Sequence, residues 1–394
     1  MIEERDRAPK VAGKSKVALV RCESYDEDAV RRAIEAGIDL LGGLPRFARA
    51  GERIVLKPNV LIGTDPDKCV VTHPSILKAA GRILLEAGVS AYYGDSPAIG
   101  GAERNLKRAR LKQAADEVGL TLADFDHGRS VNHSDALLVK SFVIANGVLE
   151  SDGVISLCKL KTHGLTRFTG AVKNTFGCIP GTFKAQHHAR TPDPYLFGTM
   201  LVDLNTLVRP RLYIMDGIMA MEGNGPRSGT PKKLNVLLFS EDPIAIDSVA
   251  CRIIDLDPEY VPSSKPGEQA GLGTYHRESI ELVGDDIETF VDKSFEVVRQ
   301  PPVPAGKNRM ANFIKNRICP RPVINGSLCT NCGTCVRMCP VDPKAVDWHT
   351  GDKSKQPTHK YGRCIRCFCC GEVCPEGAID VQNTLLGRVF FPMK

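Results

Sequence analysis

The chain has 394 residues, 42% of them hydrophobic and 25% charged, with a formal net charge of +6: an ordinary globular composition with room for more than one core. The mild basic excess forms no lysine or arginine block, which argues against nucleic acid as a partner. No run approaches the roughly 20 apolar residues of a membrane span, and residues 1–16 are polar and of mixed charge rather than a signal sequence, so a cytoplasmic protein without a membrane partner is expected. Residues 16–21 (KVALVR) predict a strand, and residues 26–41 a helix with apolar residues at helical spacing and acids in its first turn. Residues 53–56 predict a second strand running into Lys57-Pro58-Asn59. His73-Pro74 opens a helix that Gly88 stops, and a strand at 89–93 ends in Gly94-Asp95-Ser96-Pro97. Further strands are predicted at 153–157, 211–215 and 235–239, with helices between them. The alternation implies an α/β fold with a mostly parallel, Rossmann-like layered sheet.

In such a sheet ligands bind beyond the carboxyl ends of the strands. Four predicted strand exits carry polar residues: Lys57-Pro58-Asn59, Asp95-Ser96-Pro97, Lys159-Leu160-Lys161-Thr162-His163 and Asp216-Gly217. If the strand at 153–157 continues in extended form, Lys159, Lys161 and His163 share one face by the two-residue period. Arg167 and Lys173 follow closely. Clustered cations are costly unless solvated or paired with anions, so this segment is a candidate phosphate or carboxylate site with Lys161 and His163 as catalytic candidates. The alternative is a solvated basic loop.

Residues 221–229 (MEGNGPRSG) bring Gly223 and Gly225 together without the lysine of a nucleotide P-loop. Their backbone amides are candidates for close approach to a ligand, with a purely structural turn as the alternative. Asp242 and Asp247 flank Pro243 at a predicted helix start. Asp247 is a further acid-base candidate, although acids at helix starts are common caps.

After residue 298 the run Gln300-Pro301-Pro302-Val303-Pro304 supports neither helix nor central strand. Residues 307–318 are basic, with Lys307, Arg309, Lys315 and Arg317, and suit a short amphipathic helix. The predicted organisation is therefore an α/β domain at 16–298, a linker at 299–321 and a second domain at 322–394.

That second domain writes C-x2-C-x2-C-x3-C-P twice, as Cys329, Cys332, Cys335, Cys339 and as Cys364, Cys367, Cys370, Cys374. The spacing predicts two [4Fe-4S] clusters whose fourth ligands cross, Cys374 joining the first three cysteines and Cys339 the second three. A paired zinc site has no use for a third cysteine at the same short spacing. Cys369 lies between ligands and suits a buried thiol. The other six of the fifteen cysteines are scattered, as in a reducing compartment. Residues 322–384 resemble the bacterial two-cluster ferredoxins, an α+β fold, apart from a polar connection at 348–360 expected as a surface loop.

The first domain resembles the family called domain of unknown function 362, often described as uncharacterised iron-sulfur proteins. The likeness rests on Leu56-Lys57-Pro58-Asn59, Gly94-Asp95-Ser96-Pro97, Lys159 to His163, Lys173-Asn174 with Gly177, Asp216-Gly217 with residues 222–226, and Asp242-Pro243 with Asp247. Cys158 departs from it by standing where proline is expected, which raises a transition-metal site of Cys158, His163 and Cys178 as an alternative. The resemblance implies an association with clusters rather than a reaction. Two readings follow. In one, a redox enzyme passes electrons to an unidentified anionic small molecule held by Lys57, Asn59, Asp95, Lys159, Lys161, His163 and Lys173. In the other, an electron carrier uses the large domain to dock a redox partner such as a ferredoxin, flavodoxin or oxidoreductase.

Overall fold

In the computed structural model, which describes residues 13–181, 183–304 and 316–384, the alternating apolar runs assemble around one nine-stranded sheet. β1 (Ser15–Arg21) leads into α1 (Glu27–Leu40), which Asp26 caps by accepting a hydrogen bond from the Ala29 amide. β2 (Arg53–Pro58), α2 (Pro74–Glu86) and β3 (Ser90–Tyr93) follow, with Pro74 in the first turn of α2, where its missing N–H costs nothing. Next come α3 (Ala102–Arg108), α4 (Leu111–Asp116), β4 (Thr121–Leu122), the separate hairpin of β5 (Gly128–Asn132) and β6 (Ser141–Ala145), and α5 (Asn146–Leu149). The chain continues through β7 (Gly153–His163), β8 (Arg167–Thr169), α6 (Ala171–Asn174), α7 (Phe183–Arg190) and α8 (Pro194–Val208). β9 (Leu212–Glu222), β10 (Thr230–Ser240), α9 (Pro243–Ile253), α10 (Ser264–Gln269) and β11 (Ile280–Gly284) complete the large domain.

The strand order is β11-β1-β10-β9-β7-β2-β3-β4, with β8 folded back on β7. From β9 to β4 every pairing along this order is parallel, as is β1 with β11. β10 alone runs against both neighbours. The connection between β9 and β10, residues 223–229, is too short for a parallel crossover and permits only a hairpin. The fold is α/β with a mostly parallel mixed sheet.

Apolar side chains fill both faces of the sheet. One core takes α1, α2 and α8, the other α9. β7 alternates between them: Leu157 belongs to the first core, Cys158 and Leu160 to the second. Three strands are longer than their apolar runs, with β7 reaching His163, β9 reaching Glu222 and β10 beginning at Thr230. In β7 the reason is that Lys159, Lys161 and His163 find partners on distant segments and are buried.

Of the basic stretch 307–318, Lys307, Arg309 and Lys315 lie outside the described residues, while Arg317 is helical. The cysteine-rich module pairs β12 (Arg321–Ile324) with β15 (Ile379–Gln382), and β13 (Val346–Asp347) with β14 (Thr358–His359), both antiparallel. The expected loop at 348–360 includes an end of this second hairpin, and its polar tip, residues 353–356, is exposed. Residues 385–394 lie outside the described residues.

Candidate functional site

β2 ends its pairing with β7 at Pro58 opposite Leu157, so residues 158–163 of β7 run past the end of β2. There β8 pairs with β7, Lys161 opposite Thr169 and His163 opposite Arg167. The basic segment is therefore strand, buried throughout rather than a solvated loop. Each polar side chain on its shared face has its own partner. Lys159 donates to Asp216 Oδ2 at 2.8 Å and to the Tyr25 hydroxyl at 3.0 Å. Lys161 donates to Asn59 Oδ1 at 2.8 Å and to the Val70 carbonyl at 2.6 Å. His163 accepts the Leu165 amide on Nδ1, and its Nε2 lies 2.9 Å from Glu372 Oε1 of the cysteine-rich module, at an angle poor for a hydrogen bond. Burial, reinforced by Lys173, brings the His163 imidazole down to about 4. Burial also holds the Lys161 amine well below its ordinary range.

Beneath this face Lys57 and Asp95 form a buried ion pair, with Nζ 2.7 Å from Oδ1. Asn174 ties the exits together: its Oδ1 accepts from Lys57 at 3.2 Å and from Asn59 at 3.1 Å, and its Nδ2 donates to Ser156. A Cβ on Gly177 would stand 1.9 Å from Asp95 Oδ1 and 2.8 Å from Lys57 Nζ, so the bare backbone there is a requirement of the pair.

Above the network lies a cavity of about 80 Å³ between the strand exits and the cysteine-rich module. Asn59, Asp95, Lys161 and Lys173 line it from the large domain; Met338, Cys369 and Glu372 close it from the module. Lys57, Lys159 and His163 are not in its wall; the first two give their charges to Asp95 and Asp216, and His163 lines a separate cavity beyond the strand end. Lys173 is half-buried, sits over the Phe176 ring at 5.8 Å, and among the described residues has no carboxylate within 4 Å. Although burial works to raise it, Lys173 and His163 hold the Glu372 carboxyl below the usual carboxylate range.

Sequence reasoning missed Lys184, His188 and Glu372. Lys184 donates to Ser96 Oγ at 2.8 Å and to the Ile179 carbonyl at 2.7 Å in the cavity wall. Burial brings its amine down to about 7 against the pull of Asp95. His188 stacks on Phe197 with ring centroids 4.4 Å apart, and burial takes it to about 3. Basic side chains in α7 carried the only signal, and nothing in the sequence tied them to Asp95 or Glu372.

Other residues take structural parts. Asp247 does not face the cavity: its carboxylate accepts the Ala171 and Val172 amides at 2.6 and 3.1 Å and so caps α6, while burial raises it to about 7. The Gly223 amide is given to the Glu296 carbonyl and the Gly225 amide to Gly223 O and Thr162 Oγ1, so neither is turned to a ligand. The loop instead docks the module, through Asn224 to Asp380 at 3.0 Å and Arg227 to the Pro375 carbonyl at 3.2 Å. Cys158 donates to the Ile214 carbonyl, and among the described residues no group of three His, Cys, Asp or Glu side chains is drawn together as a single-ion site, which leaves Cys158, His163 and Cys178 apart.

The cysteines of the module suit cubes rather than single ions. Cys329, Cys332 and Cys335 line one small cavity together with Cys374. Burial, then the neighbouring Cys367, Cys364, Cys335 and Cys339, push the Cys370 thiol well up, a crowding that iron relieves by binding thiolates. The two fourth-position sulfurs each receive a backbone amide, Ala345 to Cys339 at 3.4 Å and Ala378 to Cys374 at 3.2 Å.

Residues 54–252 match the family described as domain of unknown function (DUF362). Residues 321–375 match a 4Fe-4S dicluster domain, and the module binds iron-sulfur clusters. A thylakoid-associated protein of Synechocystis sp. is 37% identical over 260 residues, which cover 65% of this chain and 79% of that protein. Two solved structures overlap more loosely. The lactate racemase apoprotein of Thermoanaerobacterium thermosaccharolyticum gives a TM-score of 0.35 at 14% identity over 59% of this chain and 55% of that one. A Thermotoga maritima protein gives 0.31 at 13% identity over 55% and 56%. Among the described residues no helix is long and apolar enough to cross a membrane.

Proposed function

The chain belongs to the family described as domain of unknown function 362, and on that premise we propose that its dicluster module exchanges electrons with a small anionic substrate held in the cavity between the two domains. One observation carries this reading. Lys161, Lys173 and Lys184 share the cavity wall with Met338, Cys369 and Glu372, which flank Cys339 and Cys370, two of the four proposed ligands of one cube. In this reading Cys364, Cys367, Cys370 and Cys339 hold the inner cluster, and Cys329, Cys332, Cys335 and Cys374 the outer. Two [4Fe-4S] clusters, when bound, supply or accept electrons one at a time. Lys173, which among the described residues has no carboxylate within 4 Å, takes the anionic group. Lys161 and Asn59 shape the floor. Lys184 Nζ, brought to about 7, holds or releases a proton near neutral pH. A protein redox partner meets the outer motif, where Cys332 is exposed.

The test is an anaerobic thermal-shift screen of small carboxylates and phosphates, followed by titration of any that bind. Lys173→Ala should weaken binding roughly tenfold to a hundredfold, since a charge-assisted contact contributes about 1.5 to 3 kcal/mol. Lys360→Ala, at an exposed position of the module, should change it by less than about 1 kcal/mol. Binding to reduced protein should discharge the reduced-cluster electron paramagnetic resonance signal. Equal effects of the two substitutions, or a bound anion that leaves the reduced clusters untouched, would favour the electron carrier with a docking platform.

A further inference from the structure

Beyond the tip of β7, past His163, a second cavity of about 410 Å³ opens between the strand-end turn, residues 296–303 and the loop at 365–368 of the second cysteine motif. Its size falls in the range of organic ligand sites. Leu165, Val297, Val298 and Phe368 give it an apolar lining. Two arginines enter that lining, Arg167 at 7% and Arg366 at 5% exposure.

Buried guanidiniums ordinarily sit against carboxylates. Among the described residues neither arginine has one within 4 Å. Arg167 gives its N–H groups to the Gln300, Pro301 and Gly164 carbonyls. Arg366 lies over the Tyr361 ring at 5.0 Å and donates from Nη2 to Asn316 Oδ1 at 2.9 Å. Its Nε and Nη1 are buried with no acceptor among the described residues. Nε and Nη1 lie on opposite edges of the planar guanidinium, so each offers a single charge-assisted hydrogen bond to one oxygen of a carboxylate, sulfonate or phosphate. The carboxylate in the cavity wall, Glu296, belongs to an exposed residue and so leaves the buried charge unanswered.

We infer that this cavity is a second binding site, for an amphipathic organic anion whose apolar body lies against Val297, Val298 and Phe368 and whose anionic head is received by Arg366. The site is separate from the lysine-lined cavity and does not rest on the redox reading of it. An occupant would lie against the loop between Cys364 and Cys370, at the seam between the domains.

The probe is 8-anilinonaphthalene-1-sulfonate, titrated by calorimetry into the anaerobic, cluster-loaded full chain. N-phenyl-1-naphthylamine, the same ring system without the sulfonate, serves as the uncharged comparison. The wild type should bind the sulfonate at a saturable site. Arg366→Gln should weaken that binding roughly tenfold or more, the scale of a lost charge-assisted contact, and leave the uncharged probe unaffected. Because Arg366 lies within a cysteine motif, Val298→Trp supplies a variant outside it: the indole should fill the cavity and abolish binding of both probes with iron content unchanged. Lys173→Ala should leave both intact. Absence of saturable binding, full binding by Val298→Trp, or an unchanged sulfonate affinity in Arg366→Gln would each overturn the assignment.

Discussion

The two cysteine motifs share one backbone and live in different surroundings. Asn331 and Arg366, one residue before the second cysteine of each motif, have φ of 57° and 65°, and Gly333 and Phe368, one residue after it, have 67° and 60°. The duplicated spacing thus sets a duplicated left-handed geometry. At the outer motif that geometry falls to glycine and Cys332 is exposed. At the inner motif it is imposed on phenylalanine, which is strained there, and Cys367 and Cys370 are buried. Phe368 packs on the β7–β8 turn, where a Cβ on Gly164 would stand 3.3 Å from its ring. Ligand geometry is a local property of the motif, whereas solvent access, which tunes a cluster, is decided by what the motif docks against.

The largest test of the comparison exchanges the fourth ligands. Cys374→Ala should cost the outer cluster and Cys339→Ala the inner, each removing about four of eight irons, with different surviving paramagnetic resonance spectra. Loss of each motif's own cluster instead would break the crossed assignment and with it the outer and inner labels.

Next in size is the platform under the inner motif. Lys57→Met leaves Asp95 buried without its cation, and removing one member of a buried pair costs about 3 to 5 kcal/mol. Urea unfolding of the large domain should register that loss. Asp95→Asn in the same background should recover part of it.

A smaller, pH-dependent effect belongs to the inner side. His188 titrates near 6.5 when unfolded and near 3 when folded, chiefly through burial, with Glu372, Lys173, His163 and His187 around it. The folded pKa is the lower one, so its contribution is complete above pH 6.5 and is lost progressively as pH falls toward 3. Between pH 6.5 and 5 this amounts to about 2 kcal/mol. His188→Phe, which keeps the stack on Phe197, should flatten that decline relative to wild type in paired unfolding curves. A parallel decline in both proteins would assign the acid sensitivity to another group.

The smallest effect is expected on the outer side. Arg337 is exposed and donates to the Cys332 carbonyl at 3.0 Å, so Arg337→Ala should shift stability by only about 0.5 kcal/mol. Stopped-flow electron exchange with a protein partner at varied ionic strength reads whether the exposed charge steers encounter. A large loss of stability would mean that the outer motif is as tightly held as the inner.

The sequence by itself determined whatever depends on neighbours along the chain. Cysteine spacing specified ligand-bearing loops, and apolar runs located β1, β2, β3 and the cores of β7, β9 and β10 because a strand is announced by its own side chains. Capping residues such as Asp26 and Asp242 marked helix starts. The exits named Lys57, Asn59, Asp95, Lys161 and Lys173 as one neighbourhood. Only the tertiary structure decided what each charge there does. Whether Lys159 is free or spent depends on Asp216 on another strand, and His163 met Glu372 only when the second domain docked. Asp247, read as an acid-base candidate, became the cap of α6, and the glycine-rich segment became the docking hairpin. Lys184 entered the site from a helix that no apolar pattern had linked to the sheet. A buried charge is defined by its partner, and partners distant in the chain leave no local mark.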